Sequence, residues 1–229
     1  MRSGGVLQRM LRHYSPRLRA RGAAIRRFAK KTGLVYFGAV DQHKDDHEVI
    51  RGLTVSTTHR DAHYAVGSFD GYDVSIVDRF DVAYDAQYQP VEHSWLIYQV
   101  NLLNTSVPHL FLKPLGHSPA AYNKFFTAFH TLPAVNSLLD NHSSEFHSRY
   151  EVYANAMHVQ ELEQTLTTHA TQTIAARFWP HAIEVYEGKL YVYITEHRQR
   201  EFEAVLGATL HASVWLASVI DDIDQAAEI

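Results

Sequence analysis

The densest set of chemically capable side chains is DQHKDDHE at 41–48, which holds Asp41, His43, Asp45, Asp46, His47 and Glu48. Imidazoles and carboxylates are ligands for zinc and related divalent ions, and His43 and His47, four apart, would share one helix face. The stretch has no apolar stripe to hold it in a helix, and a loop makes a weak, unselective site. His43, His47 and Asp45 are the metal candidates, set against a solvated loop. THRDAH at 58–63 adds His59, Asp61 and His63 without a recognised ligand spacing. The chain has 16 His and no Cys, so thiolate metal sites, disulfides and cysteine nucleophiles are excluded.

A second pair comes from the hairpin HYAVGSFDGYDVSIVDRF at 63–80. Asp-Gly between two strand-favouring runs is a strong hairpin signal. A two-residue loop at Asp70-Gly71 pairs Phe69 with Tyr72, Gly67 with Val74, Ala65 with Ile76 and His63 with Asp78. A carboxylate facing an imidazole orients it and raises its pKa, as in a general base or a pH switch. The competing reading is a polar cross-strand pair at the open end of a hairpin. His63 and Asp78 are the catalytic candidates, with no serine elbow to join them and no glycine-rich phosphate loop elsewhere. No cofactor is implied.

The third feature is charge. Residues 1–40 hold ten Arg and Lys and no Asp or Glu; the rest of the chain holds eleven Arg and Lys against 25 acidic residues. Two helices are expected over 4–31, the second starting at Ser15-Pro16 and ending at Gly33. Arg9, Arg12, Arg17, Arg19, Arg21, Arg26, Arg27, Lys30 and Lys31 form their polar faces. Such a basic amphipathic arm fits an anionic membrane surface, where each cation contributes roughly 1 kcal/mol. It equally fits a protein partner or the acidic body itself. Nucleic acid is a weaker match, because the body would repel phosphate. The sequence names no small-molecule ligand.

These features need elements to hold them. Strands are expected at 34–37, 49–56, 93–103, 107–113 and 146–154, besides the opening hairpin and a second one, 182–187 and 189–195, around Glu187-Gly188. In the 146–154 strand, His147 and Arg149 would point outward. Helices are expected at 119–131, from Pro133 to about Asp140, from Asn155 to about Phe178, and over 199–221. Tyr122, Phe125, Phe126 and Phe129 form an aromatic stripe that reads as core. Blocks of strands and helices without strict alternation indicate an α+β fold with a mostly antiparallel twisted sheet, or two, and helices packed on one side. Residues 1–33 read as the arm and 34–229 as the domain, with a strand-rich lobe at 34–114 and a helix-rich lobe at 115–229. No run of about 18 apolar residues suggests a membrane span.

The order of IRRFAKKTGLVYF (25–37), HYAVGSFDGYDVSIVDR (63–79), VPHLFLKP (107–114), SSEFHSRYEVYA (143–154) and AIEVYEGKLYVYI (182–194) resembles a family of bacterial proteins of unknown function. In that family membrane helices often precede the basic segment, whereas none is read in this sequence; the resemblance implies membrane association and gives no activity to carry over. The expectation is a non-catalytic interaction or scaffold protein, cytoplasmic, held peripherally at the inner membrane face or in an assembly by the arm. The alternatives are a metal-dependent or His/Asp hydrolase, and a nucleic-acid-binding protein.

Overall fold

The computed structural model describes residues 16–38, 50–55, 60–84, 87, 90–116, 122, 124–126, 128–139, 142–194 and 201–227. A helix, α1 (Pro16–Thr32), leads into strand β1 (Val35–Gly38). Gly33 ends α1 at φ +80°, and the Leu34 N–H closes the turn by donating to the Ala29 carbonyl at 2.9 Å. The strands β2 (Arg60–Phe69), β3 (Tyr72–Tyr84), β4 (Pro90–Asn101) and β5 (Leu110–Pro114) follow. Then come α2 (Ser144–Arg149), β6 (Tyr150–Ala154), α3 (Val159–Thr165) and α4 (Thr168–Arg177). The second hairpin, β7 (Ala182–Tyr186) and β8 (Lys189–Ile194), and the long helix α5 (Phe202–Ala227) complete the described chain.

All the strands join one eight-stranded antiparallel sheet in the order β1-β2-β3-β4-β8-β7-β5-β6. The fold is α+β, as the segment order implies. Strands from 34–114 and 115–229 are interleaved, β4 pairing with β8 and β5 with both β6 and β7. Both hairpins turn on residues with positive φ: Asp70 and Gly71 at 49° and 85°, Glu187 and Gly188 at 49° and 67°. Those angles are the mirror-image turn whose twist matches paired strands.

Strand alternation gives the sheet two apolar faces. Ile76, Leu96, Tyr98, Val100, Val185 and Val192 face the helices, where Ile25 and Phe28 of α1 and Phe202, Leu206, Leu210 and Ala217 of α5 complete the larger core. Val77, Trp95, Ile97, Phe111 and Tyr193 face the other way. There Ile50 and Val55, with the aromatic residues Tyr122, Phe125, Phe126 and Phe129, form a second core. Helices α1 and α5 thus pack on one side of the sheet, and the second core covers the other.

Several local expectations are corrected. Residues 50–55 are irregular rather than a strand; they lie across the sheet as a cover. The opening hairpin's second strand, β3, runs past residue 80 to Tyr84, and the strand expected from 93 starts at Pro90. The segment after Pro133 forms only a 3₁₀ turn, Asn136–Leu138; in the helix expected over 119–131, Tyr122, Lys124 and Phe125 are helical and Phe129–Thr131 is a 3₁₀ turn. Phe146–Arg149 is helix, not strand, since the Ser143 side chain accepts from the Phe146 N–H and caps α2. His147 and Arg149 therefore do not alternate outward along a strand. The long helix from Asn155 is broken at Leu166; Asn155 caps a 3₁₀ turn and Thr167 caps α4 by accepting from the Ala170 N–H.

Residues Phe202–Asp222 of α5 are long and apolar enough by composition to cross a membrane. The stripe Phe202, Leu206, Leu210, Val214, Ala217 and Ile220 is nevertheless buried within the protein, as in a core helix.

Candidate functional site

The basic helix is part of the domain core. Ala24, Ile25, Phe28 and Ala29 are buried against the sheet and α5. Arg21 lies on that same buried stripe and is 3% exposed. Its Nε donates to Asp78 Oδ2 at 3.0 Å, its Nη2 donates to Oδ1, and its guanidinium lies over the Phe202 ring at 4.6 Å. This corrects Arg21 as a surface-binding residue: a cation on the apolar stripe is retained only because Asp78 faces it. Arg27 is exposed but paired with Glu203 of α5, Nε donating at 3.0 Å. Arg19, Arg26, Lys30 and Lys31 are exposed. Arg9, Arg12 and the Arg17 side chain lie outside the described residues, as do His43, Asp45 and His47. Among the described residues no group of three or more His, Asp or Glu is placed to hold a metal ion.

The His63–Asp78 pair is altered by a bulge. The register holds from Phe69↔Tyr72 to Ala65↔Ile76, but resumes beyond it at Ala62↔Asp78. His63 and Tyr64 therefore stand together opposite Val77, with His63 at φ +53°. Ala62, not His63, is the cross-strand partner of Asp78. The bulge turns the His63 imidazole toward α1, where Gly22 meets it, and its Nδ1 shares a 2.8 Å hydrogen bond with the Tyr36 hydroxyl of β1. Burial lowers the His63 pKa; the Asp78 carboxylate raises it and Arg21 lowers it, by smaller amounts. Burial raises the Asp78 pKa, and Arg21 pulls it back. Both oxygens of Asp78 are occupied by Arg21, so Asp78 is a structural counter-ion rather than a free base.

Two further polar clusters lie on the opposite face, and the sequence reading missed both. Arg79 is fully buried; its Nε and Nη2 donate to Asp61 at 2.8 and 3.1 Å, and Nη2 donates to the Ile50 carbonyl at 2.8 Å. Next to it, Trp95 Nε1 donates to Asp81 Oδ2 at 2.6 Å. Burial raises the Asp81 pKa to about 6. The alternation D-R-F-D at 78–81 was the available signal, because it places charges on both faces of a strand too apolar to be an edge.

The other cluster surrounds Glu184 in the middle of β7. It accepts from the Thr54 N–H at 3.0 Å, the Thr54 hydroxyl at 2.6 Å, the Tyr193 hydroxyl at 2.6 Å, and pairs with His109 Nε2 at 2.9 Å. Gly52 lies against it and donates its N–H to the Tyr193 hydroxyl at 3.1 Å. This network fastens the 50–55 cover to the sheet. A glutamate inside the otherwise apolar AIEVY was its sequence signal.

A concave surface lies on the helical side. α5 is flanked by a cleft of about 350 Å³ shared with α1 and another of about 370 Å³ shared with α4, and His211 borders both.

No family model matches the chain, and no curated protein matches it. Among solved structures it is similar to the crystal structure of the mycobacterial trehalose monomycolate transport factor A, TtfA. The TM-score is 0.56 at 11% identity, covering 90% of this chain and 94% of that one. The likeness is one of fold.

Proposed function

We propose that this chain is a non-catalytic interaction protein that attaches peripherally to an anionic membrane surface through the outward cations of α1. The observation that carries this reading is the division of α1. Its apolar stripe and Arg21 are held in the core, while Arg26, Lys30 and Lys31 remain exposed. The helix would therefore act as a rigid row of charges lying on lipid headgroups, without inserting its apolar face. The other chemically capable groups support a non-catalytic role: Asp78 is held by Arg21, Asp61 by Arg79, and Glu184 by the Thr54 and Tyr193 hydroxyls. The fold shared with the trehalose monomycolate transport factor A is consistent with an accessory role beside membranes.

A vesicle-flotation assay tests the reading with the full chain, since cutting at Leu34 would remove part of the core. Vesicles containing phosphatidylglycerol should float the protein at low salt and release it at high salt. Arg26→Gln/Lys30→Gln removes two cations, ~2 kcal/mol, and should lower partitioning about 30-fold. Equal flotation of variant and parent, or binding indifferent to salt, overturns the surface reading.

A further inference from the structure

The cleft between α1 and α5 has three tiers set by helical spacing. Arg27 and Glu203 form one end, hydrogen bonded to each other, and Phe28 and Gly207 form the floor. One turn further along each helix, Lys31 and His211 form the other end. There the Phe69 ring meets the His211 imidazole edge-on, with centroids 5.0 Å apart. From Glu203 to His211 the cleft is ~12 Å long, at 1.5 Å per residue. Its volume of about 350 Å³ is at the small end of the range for ligand clefts.

Gly207 is unexpected in the interior of a long helix, where alanine is more favourable. Close packing does not require it, because a Cβ there would lie 3.9 Å from Phe28 Cε2, an ordinary contact. Its effect is to keep the floor of the cleft open. The charges at the two ends also differ. Arg27 is matched by Glu203, whereas no carboxylate among the described residues meets Lys31. The result is a cleft floored by Phe28 and Gly207 and bordered by Thr32, with a net positive charge at one end.

We infer that this cleft binds a small monoanionic amphiphile, a medium-chain fatty carboxylate. The carboxylate sits at Lys31 and His211, and the hydrocarbon lies over Phe28 and Gly207. The matched Arg27–Glu203 pair leaves no uncompensated cation at the opposite end, which sets the direction. Binding here goes beyond surface attachment; Lys31 serves both readings, but Arg26 and Lys30, the residues of the flotation test, do not line the cleft, so the two tests separate.

Titration calorimetry with decanoate below its micellar concentration, beside decanol and decyltrimethylammonium, tests the assignment. Decanoate should bind with a stoichiometry of one, decanol at least about tenfold more weakly, and the cationic analogue not at all. Gly207→Leu fills the floor and should weaken decanoate more than about tenfold without lowering the thermal midpoint, because helix propensity improves. Lys31→Gln should weaken decanoate about tenfold and leave decanol unchanged. No decanoate binding, equal binding to Gly207→Leu, or decanol binding as tightly as decanoate overturns the inference. No flotation of the parent protein, with its decanoate binding intact, overturns the surface reading alone.

Discussion

Gly22 of α1 lies so close to the His63 imidazole that a Cβ at position 22 would fall 2.4 Å from His63 Cε1 and 2.8 Å from Nδ1. This contact seats the basic helix on the sheet. Alanine would normally improve a helix interior by ~1 kcal/mol over glycine. Here the bulge at His63 and the Tyr36 hydrogen bond leave the ring little room, so the steric cost wins. Gly22→Ala should lower stability by ~1–3 kcal/mol in denaturant unfolding. The double variant Gly22→Ala/His63→Ala should recover at least the alanine propensity gain relative to His63→Ala. A Gly22→Ala protein more stable than the parent refutes the contact.

The pH dependence of the same ring follows from its burial, which lowers the His63 pKa below 6.5. The unfolded chain then binds the proton more readily than the folded one. His63 contributes stability that is present above the unfolded value and is lost as pH falls through it toward the folded value. Proton NMR of the imidazole should give a midpoint below 6.5. His63→Gln should flatten the fall in unfolding free energy on acidification; a midpoint at or above 6.5 contradicts the assignment.

The Arg21–Asp78 pair makes an asymmetric prediction. Arg21→Met leaves a fully buried carboxylate without its counter-ion, and should cost ~3–5 kcal/mol. Arg21→Met/Asp78→Leu removes both charges and should lie within ~1–2 kcal/mol of the parent. By contrast, Arg27→Met at the exposed Arg27–Glu203 pair should change stability by less than ~1 kcal/mol. A double-mutant cycle in urea measures each coupling, and additive effects at Arg21 and Asp78 would show that the pair is not coupled.

Asp81 titrates in the opposite sense to His63. Its pKa rises from 3.8 to about 6, so between those values the folded state holds the proton more tightly. Its contribution to stability therefore falls as pH rises from about 4 to about 6. Asp81→Asn can still accept from Trp95 Nε1 and removes the titration. Comparing denaturation midpoints at the two ends of that window, the variant should gain relative to the parent at the higher pH. A constant difference across the window contradicts the raised pKa.

The cover over the second face depends on Gly52 and Glu184. A Cβ at position 52 would lie 2.1 Å from Glu184 Oε2 and 2.6 Å from the Tyr193 hydroxyl. Gly52→Ala should displace the cover and cost more than ~1 kcal/mol. Glu184→Gln turns an acceptor into a donor facing Thr54 and should cost ~1–3 kcal/mol. Both should speed hydrogen exchange at the Thr54 amide, the donor to Glu184; unchanged protection there would mean the cover is held by apolar contacts alone.

Much of this fold is local in origin and could be read from the chain. The glycine at 33, the two turn pairs at 70–71 and 187–188, and the alternation of strands on either side of them depend on near neighbours, and they occur as expected. The aromatic residues Tyr122 to Phe129 were recognisable as core from their spacing. Caps at Ser143 and Thr167 were also local, but the alternation of Phe146, Tyr150 and Val152 reads as strand after the first, and the spacing of Leu162, Leu166 and Ala170 runs on through the second. What the linear pattern left undetermined is long-range. The bulge that separates His63 from Asp78 depends on where α1 packs, and the cation that neutralises Asp78 comes from 57 residues away. Glu184 is tolerable only because Thr54, 130 residues earlier, is folded over it. The amino-acid sequence by itself determined an α+β chain with a basic leading segment. Only the tertiary structure decided that Pro16–Thr32 of it is a core helix, because an amphipathic stripe has the same pattern whether a membrane or a protein interior covers it.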